Sequence, residues 1–394
     1  MRILVVNDGV GDAGGVQQYL QAVAGALRQR GHTLALLHVD RLRDGRDSPV
    51  GADAAHFSTD ELGTPAAVAA ALQWAPDVVF SNNMRELDAE AALVDARPVV
   101  KMMHGYLGTC VSGLKMHSFP HPVACHRTFG PACAVLYFPR HCGRWRPGAL
   151  LHGYAAAHSQ HALLSRYAAV VVSSHHLRAE YERHGVAPGR IVDDPLFASD
   201  LPSAPAPLPR TFRVAFLGRM TALKGGDVLL RAVALASRTL GASVPVTLAG
   251  DGPERERWSA LAASLRVQAE FPGWIDGAAR AALYAGASVV AVPSVWPEPF
   301  GLTGLEGGAY GAAAIAFDVG GIRAWLHDGE NGWLVDPRRG AAGFAEALVE
   351  ASRNAPVLQR MREGARAMAE RLSLGRHVDA LETALRRVAL AGAA

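Results

Sequence analysis

Short β-branched runs alternate with longer Ala/Leu-rich stretches along almost the whole chain, and this alternation constrains the fold more than any other feature. Residues 2–7, 34–38, 78–80, 98–103 and 169–173 read as buried strands. Helical periodicity fills 16–30, 65–73 and 175–184 between them. The pattern restarts with strands at 212–217, 245–249, 288–292, 313–317 and 333–335, and helices at 226–239, 254–265, 278–285, 302–311 and 341–352. A parallel pair needs a crossover of a dozen or more residues, and a helix supplies it while covering one face of the sheet. The pattern therefore predicts an α/β chain made of two doubly wound, Rossmann-like domains with parallel sheets.

A length of 394 residues exceeds what one hydrophobic core normally organises. The proline-rich stretch 197–210 lacks periodicity and reads as a linker. The expected division is an N-terminal domain over 1–196, a second domain over 211–375, and a C-terminal helix over 376–394 that can pack back on the first. Ligands of open α/β sheets bind at the carboxyl ends of the strands, so two such sheets are expected to face each other across a ligand cleft. A net charge of +3 is too small and too dispersed for a nucleic-acid binder. The apolar run at the N-terminus is shorter than a secretory segment needs, and no stretch approaches the length of a membrane span. A cytoplasmic location, with peripheral contact at the inner face of a membrane, is the expectation. The abundance of Ala, Arg and Gly suggests a bacterial source with a GC-rich genome.

The chemistry concentrates at predicted strand ends. After the strand ending at Val292 comes Pro-Ser-Val-Trp-Pro-Glu298-Pro-Phe300-Gly301-Leu302-Thr303-Gly-Leu-Glu306. Pro299 suits the first turn of a helix, and Gly301 lets the backbone approach a ligand. Free N–H groups around Phe300 to Thr303 would bind an anion such as a diphosphate. Glu298 before the helix and Glu306 within it can accept hydrogen bonds from hydroxyls at two ends of one ligand. A second strand end carries Gly218-Arg219…Lys224-Gly225, two cations suited to a diphosphate, in a sequence that is not a Walker A loop. Gly250-Asp251-Gly252-Pro253 and Pro272-Gly273-Trp274-Ile275-Asp276 are further strand-end turns. No Asp-x-Asp metal motif occurs.

This set, with Gly320-Gly321-Ile322, Gly329, Gly332 and Val335-Asp336-Pro337 downstream, resembles the donor site of family-4 retaining glycosyltransferases of GT-B fold over about 210–340. The resemblance implies that Arg219 and Lys224 bind the donor's diphosphate and stabilise it as it leaves. It implies that Glu298 and the backbone at Phe300, Gly301, Leu302 and Thr303 meet the sugar and phosphate, that Glu306 holds the ribose, and that Gly218 and Gly250 line the site. Trp274 and Ile275 would lie near the base. In the N-terminal domain, Asp12-Ala-Gly-Gly15-Val16 is similar to the family's glycine loop, and His104 falls where the family often directs a histidine at the donor sugar. The reaction expected from it is transfer of a sugar from a nucleotide-diphosphate donor, UDP before GDP, to an unidentified acceptor, with no cofactor required for catalysis. A nucleotide-sugar epimerase and a non-catalytic nucleotide-sugar-binding subunit are the alternatives.

All four cysteines, Cys110, Cys125, Cys133 and Cys142, fall in an insert over 105–147 that also holds His117, His121, His126 and His141. A structural zinc, disulfides and buried free thiols are the three readings of these residues. The insert's aromatic mass is expected to shape the acceptor pocket, with a membrane-surface contact as the competing use.

Overall fold

A computed structural model describes residues 1–9, 15–40, 48–51 and 53–393. The chain divides into two compact units, Met1–Pro195 with Leu374–Ala394, and Leu196–Ser373.

The first unit is built on β1 (Arg2–Val6), β2 (Thr33–His38), β3 (Ala55–Ser58), β4 (Val78–Ser81) and β5 (Val99–Met103). After the insert's short hairpin, β6 (Met116–His117) and β7 (Val123–Ala124), come β8 (Ala169–Val172) and β9 (Ile191–Asp193). The seven long-range strands pair in the order β3-β2-β1-β4-β5-β8-β9, all parallel. The crossovers carry α1 (Gly15–Gln29), α2 (Thr59–Leu62), α3 (Thr64–Gln73), α4 (Leu87–Ala96), α5 (Pro131–Leu136), α6 (Pro147–Leu164) and α7 (His175–Arg183). The central strands are buried on both faces, which is why they read as unbroken apolar runs.

The second unit repeats the plan with β10 (Val214–Leu217), β11 (Val246–Ala249), β12 (Ala269–Gly273), β13 (Val289–Val292), β14 (Ala313–Phe317) and β15 (Gly332–Val335). Their order is β12-β11-β10-β13-β14-β15, again all parallel. The helices are α8 (Gly226–Leu240), α9 (Arg255–Leu265), α10 (Gly277–Ala285), α11 (Leu302–Ala309), α12 (Gly340–Arg353) and α13 (Ala355–Arg371). The expected α/β class and parallel pairing hold in both units.

Several elements differ from the sequence reading. The turn expected around Pro272 is the end of strand β12; as an edge strand it tolerates a proline, which has no N–H to give to a ladder. Helix α13 was not anticipated, although Asn354 caps it by accepting from the Val357 N–H and Pro356 stands in its first turn. Helix α11 ends at Ala309, earlier than expected, because the turn that follows carries Gly311 in a left-handed conformation. The proline-rich stretch runs along the second unit. Buried Arg362 of α13 donates to the carbonyls of Ala206 and Ala287, and Arg366 to that of Pro202. The last helix, α14 (Leu374–Ala393), belongs to the first unit. There His377 bridges Tyr19 and the Asp194 carboxylate.

Candidate donor-binding site

In the second unit the strand order reverses beside β10, whose two neighbours are β11 and β13. Loops leaving adjacent strands on either side of such a reversal diverge to opposite faces and open a crevice at their carboxyl ends. The 218–225 loop leaves β10 there, and the 293–301 loop leaves β13.

Glycine permits the two loops to close on each other. Gly225 has φ +67°, and a Cβ there would stand 1.9 Å from the Pro293 carbonyl oxygen. That approach lets the Val295 N–H and the Ser294 hydroxyl donate to the Leu223 carbonyl at 3.0 and 3.1 Å. The result sets Lys224 against Glu298. Lys224 Nζ donates to Glu298 Oε1 at 2.6 Å, and its ammonium also lies 5.2 Å from the Trp296 ring centroid. Glu298 is buried and Lys224 partly exposed. Arg219 is exposed, and its guanidinium makes no ion pair or hydrogen bond among the described residues.

Adjacent turns stack by backbone alone. A Cβ on Gly250 would lie 2.0 Å from the Gly218 carbonyl oxygen, and the Gly250 N–H donates to Gly273. Trp274 beyond that turn is exposed, and Ile275 is half-buried.

Helix α11 starts at Leu302, so Pro299 lies outside its first turn and Gly301, at φ +82°, is the residue that caps it. The N–H groups of its first turn have no partner within the helix. Two contacts hold its start in place. Trp325 donates its indole N–H to the Phe300 carbonyl at 2.7 Å, and its ring lies where a Cβ on Gly304 would stand, at 2.1 Å. The far glycines, Gly307 and Gly308, fit against Val290 and the Ala365 backbone. Glycine thus buries this helix on several sides and leaves its N-terminus at the crevice.

Glu306 is buried within α11. Tyr284 donates to its Oε2 at 2.9 Å, and Arg280, one helical turn before Tyr284 on α10, lies 3.9 Å from Oε1. Asp200 pairs with Arg280 at 2.9 Å. Burial raises the Glu306 pKa above its ordinary value, opposed by Arg280 and the Tyr284 hydrogen bond. Tyr284, Arg280 and Asp200 carry no motif and were missed from the sequence. Only the i, i+4 spacing of Arg280 and Tyr284 hinted that they share a face.

Residues 205–368 match the family described as glycosyl transferases group 1. This segment is a group 1 glycosyltransferase domain. Among curated relatives, the D-inositol 3-phosphate glycosyltransferase of Rhodococcus erythropolis is 38% identical over 149 residues, 35% of this chain and 33% of that protein. The phosphatidyl-myo-inositol mannosyltransferase of Mycobacterium leprae is 36% identical over 148 residues, 37% of this chain and 39% of its own. The chain thus spans about a third of the length of the curated relatives it matches. Solved structures extend the likeness to nearly the whole chain. Anabaena HepE, in complex with UDP and glucose, has a TM-score of 0.70 at 19% identity and covers 98% of this chain and 100% of its own. Sucrose-phosphate synthase of Thermosynechococcus elongatus reaches 0.74 at 20%, covering 99% of each. The fold is GT-B.

Every donor-site residue expected within the group 1 domain lies on a turn or helix start at a strand's carboxyl end, or within α11. The two expected in the first unit are separate from it in sequence. Gly15 opens α1 and is exposed, while Asp12 to Gly14 of the same loop lie outside the described residues. His104 follows β5, and its Nε2 lies 2.8 Å from Asn82 Oδ1, with the Tyr19 ring edge-on at 5.1 Å. Burial, with Lys101 and His377 nearby, pushes its pKa down to about 3. The ring is neutral at physiological pH. Because this folded pKa lies below the ordinary value near 6.5, the stability it confers is complete above about pH 6.5 and falls away as pH drops toward about 3. His104→Gln is expected to flatten the pH dependence of the urea midpoint between about pH 6 and pH 4. An unchanged slope would show that another group governs acid sensitivity.

In the insert the four cysteines are free thiols, each half-buried, and all line one cavity of about 240 Å³. Burial, with the other three thiols nearby, pushes Cys142 up to about 11. Among the described residues no group of three or more His, Cys, Asp or Glu side chains is placed to hold a metal ion. The zinc reading of Cys110, Cys125, Cys133 and Cys142 therefore gains no support from this geometry. Lys115 fastens the insert to the first unit, pairing with buried Glu180 at 2.6 Å and donating to the carbonyls of Thr109 and Arg127.

Proposed function

We propose that this protein transfers a sugar, with retention of anomeric configuration, from a nucleotide-diphosphate donor to an acceptor hydroxyl. The observation that carries the reading is the contact of Lys224 with Glu298 where the loops from β10 and β13 meet, beside the glycine-capped start of α11. In this reading Glu298 accepts hydrogen bonds from the donor sugar's hydroxyls, and Lys224 and Arg219 neutralise the diphosphate. The first-turn N–H groups of α11 add partial positive charge. Glu306, oriented by Tyr284 and Arg280, accepts from the ribose hydroxyls. The bond from the anomeric carbon to the diphosphate oxygen breaks as the acceptor oxygen bonds to the same face, and the leaving diphosphate takes the acceptor's proton. Pre-organised cations at the developing charge lower such a barrier most.

UDP is the nucleotide to test first and GDP second. The relatives named for inositol phosphate and phosphatidyl-inositol acceptors put polyols beside lipid-linked glycans, polysaccharides and secondary metabolites as acceptors to try. The first unit would bind the acceptor, in a cytoplasmic protein that visits the inner face of a membrane. Two measurements test the proposal. A donor at a hundred times its dissociation constant stabilises the protein by about 2.7 kcal/mol, so one nucleotide sugar should raise the melting temperature above all others. The glycoside formed from that donor should keep the donor's anomeric configuration by NMR. No shift with any nucleotide sugar removes the donor assignment. An inverted product removes retention, and release of a free epimer points to an epimerase.

A further inference from the structure

Between Asp95 and Glu180 the chain has no acidic residue, yet these 84 positions carry nine lysines and arginines. Four of them pair with acids outside the stretch. Lys101 pairs with Glu90, Lys115 with Glu180, Arg166 with Asp95, and Arg178 with Asp193. Arg97 donates to the carbonyls of Pro76 and Ala96. The four that remain, Arg127, Arg140, Arg144 and Arg146, all belong to the insert. They are exposed and form no ion pair among the described residues.

The insert and the start of α6 also expose large apolar side chains. Phe119, Val123, Val135, Trp145 and Leu151 are all exposed, with Trp145 at 64% and Leu151 at 72%. They account for half of the ten exposed large hydrophobic residues of the described chain, within 33 positions. Phe119 and Trp145 are joined through a ring ladder. The His141 ring lies 5.4 Å from Phe119 and 4.8 Å from Trp145, which also meets Phe138 edge-on at 5.3 Å. The ladder holds two exposed aromatics in one patch, and in the chain Arg140 adjoins His141 while Arg144 and Arg146 flank Trp145.

We infer that this face of the insert docks on an anionic phospholipid bilayer. Exposed aromatic rings next to unpaired arginines suit the headgroup boundary, where a ring buries its apolar body while the guanidinium meets phosphate. Uncompensated positive charge gains from the negative surface potential of such a leaflet, and acidic residues would cancel that gain. A soluble polyanion would satisfy the arginines but give Phe119 and Trp145 nothing to bury against. The inference names the surface and the lipid chemistry for the membrane contact in the reading above. Lipid binding is measured without any sugar transfer, so either claim can fail alone.

The test is co-sedimentation of the full-length protein with vesicles of phosphatidylcholine containing about one-third phosphatidylglycerol, against vesicles of phosphatidylcholine alone. The protein should pellet with the anionic vesicles and much less with the neutral ones. Each basic residue close to an anionic surface is worth about fivefold in binding. The triple variant R140Q/R144Q/R146Q should therefore bind about a hundredfold more weakly, and added salt should weaken the unaltered protein in the same direction. W145A should weaken binding at all salt concentrations, because its term is apolar. Both variants alter exposed side chains, and their melting temperatures and donor-induced thermal shifts should match those of the unaltered protein. Equal binding to neutral vesicles, undiminished binding by a folded triple variant, or binding to heparin without binding to vesicles would each overturn the assignment.

Discussion

Replacing Lys224 by alanine should lower sugar transfer by at least about a hundredfold while the fold survives. The basis is charge placement. Removing one pre-organised group that stabilises transition-state charge typically costs between about a hundredfold and a thousandfold in turnover. Lys224 is held at the crevice by its bond to Glu298 and by the Gly225 approach to Pro293. The loss should appear chiefly in kcat, since the diphosphate carries most added charge as it leaves. The structure adds a second expectation. Lys224 and Glu298 touch, so their effects should not add: the double variant Lys224→Ala/Glu298→Ala should be little slower than the worse single variant. Lys224 is partly exposed, so loss of the pair should cost only about 1 kcal/mol in a urea titration. Near-normal turnover by the Lys224 variant would remove these residues from the mechanism.

The second large effect falls on a residue with no side chain. Gly320 has φ +56°, and a Cβ there would lie 2.2 Å from the Glu298 carbonyl oxygen and 2.6 Å from its nitrogen. The next residue, Gly321, donates its N–H to that same carbonyl. Gly320→Ala must therefore push the Glu298 backbone away as well as adopt a conformation costing an L-residue about 1–2 kcal/mol. The expected loss is about 3 kcal/mol or more, with the donor-induced thermal shift abolished. Gly329→Ala is the control. It too sits at positive φ, +78°, but has nothing within 4 Å, so it should cost about 1 kcal/mol and leave donor binding intact. Equal costs at the two positions would show that backbone conformation alone, and not the approach to Glu298, requires glycine at 320.

Much of this was legible without coordinates because it depends on period and local chemistry. Runs such as Val289–Val292 and Ala313–Phe317 are apolar throughout because both faces of a parallel strand are buried. Glycines at strand ends likewise mark where the backbone must come close to something. What a linear reading does not contain is the partner. Gly225 is visible as a glycine, but only the fold shows that it admits the Pro293 carbonyl and so brings Lys224 to Glu298, 74 residues away.

The structure also adds partners to the two glutamates of this domain. The sequence reading sets Glu298 and Glu306 to accept hydrogen bonds at two ends of one ligand. In the structure each already has a protein partner, Lys224 for one and Tyr284 with Arg280 for the other. Those partners hold both side chains in place before any ligand arrives, which is the preorganisation a binding site needs. Likewise the acid-free stretch is a property of the sequence, but its meaning lies in which arginines find an acid. Five do not: Arg97 donates to two backbone carbonyls, and the other four are exposed in the insert, as are Phe119 and Trp145.

The sequence by itself determined the α/β class, the parallel sheets, and the strand-end positions of Arg219, Lys224 and Glu298, because burial on both faces and glycine turns are local demands. Only the tertiary structure decided the strand order that opens the crevice beside β10 and the pairing of Lys224 with Glu298. It alone set the hold of Tyr284 on Glu306 and the return of the last helix to the first unit. These depend on contacts between residues far apart in the chain, and such contacts form only when whole elements pack.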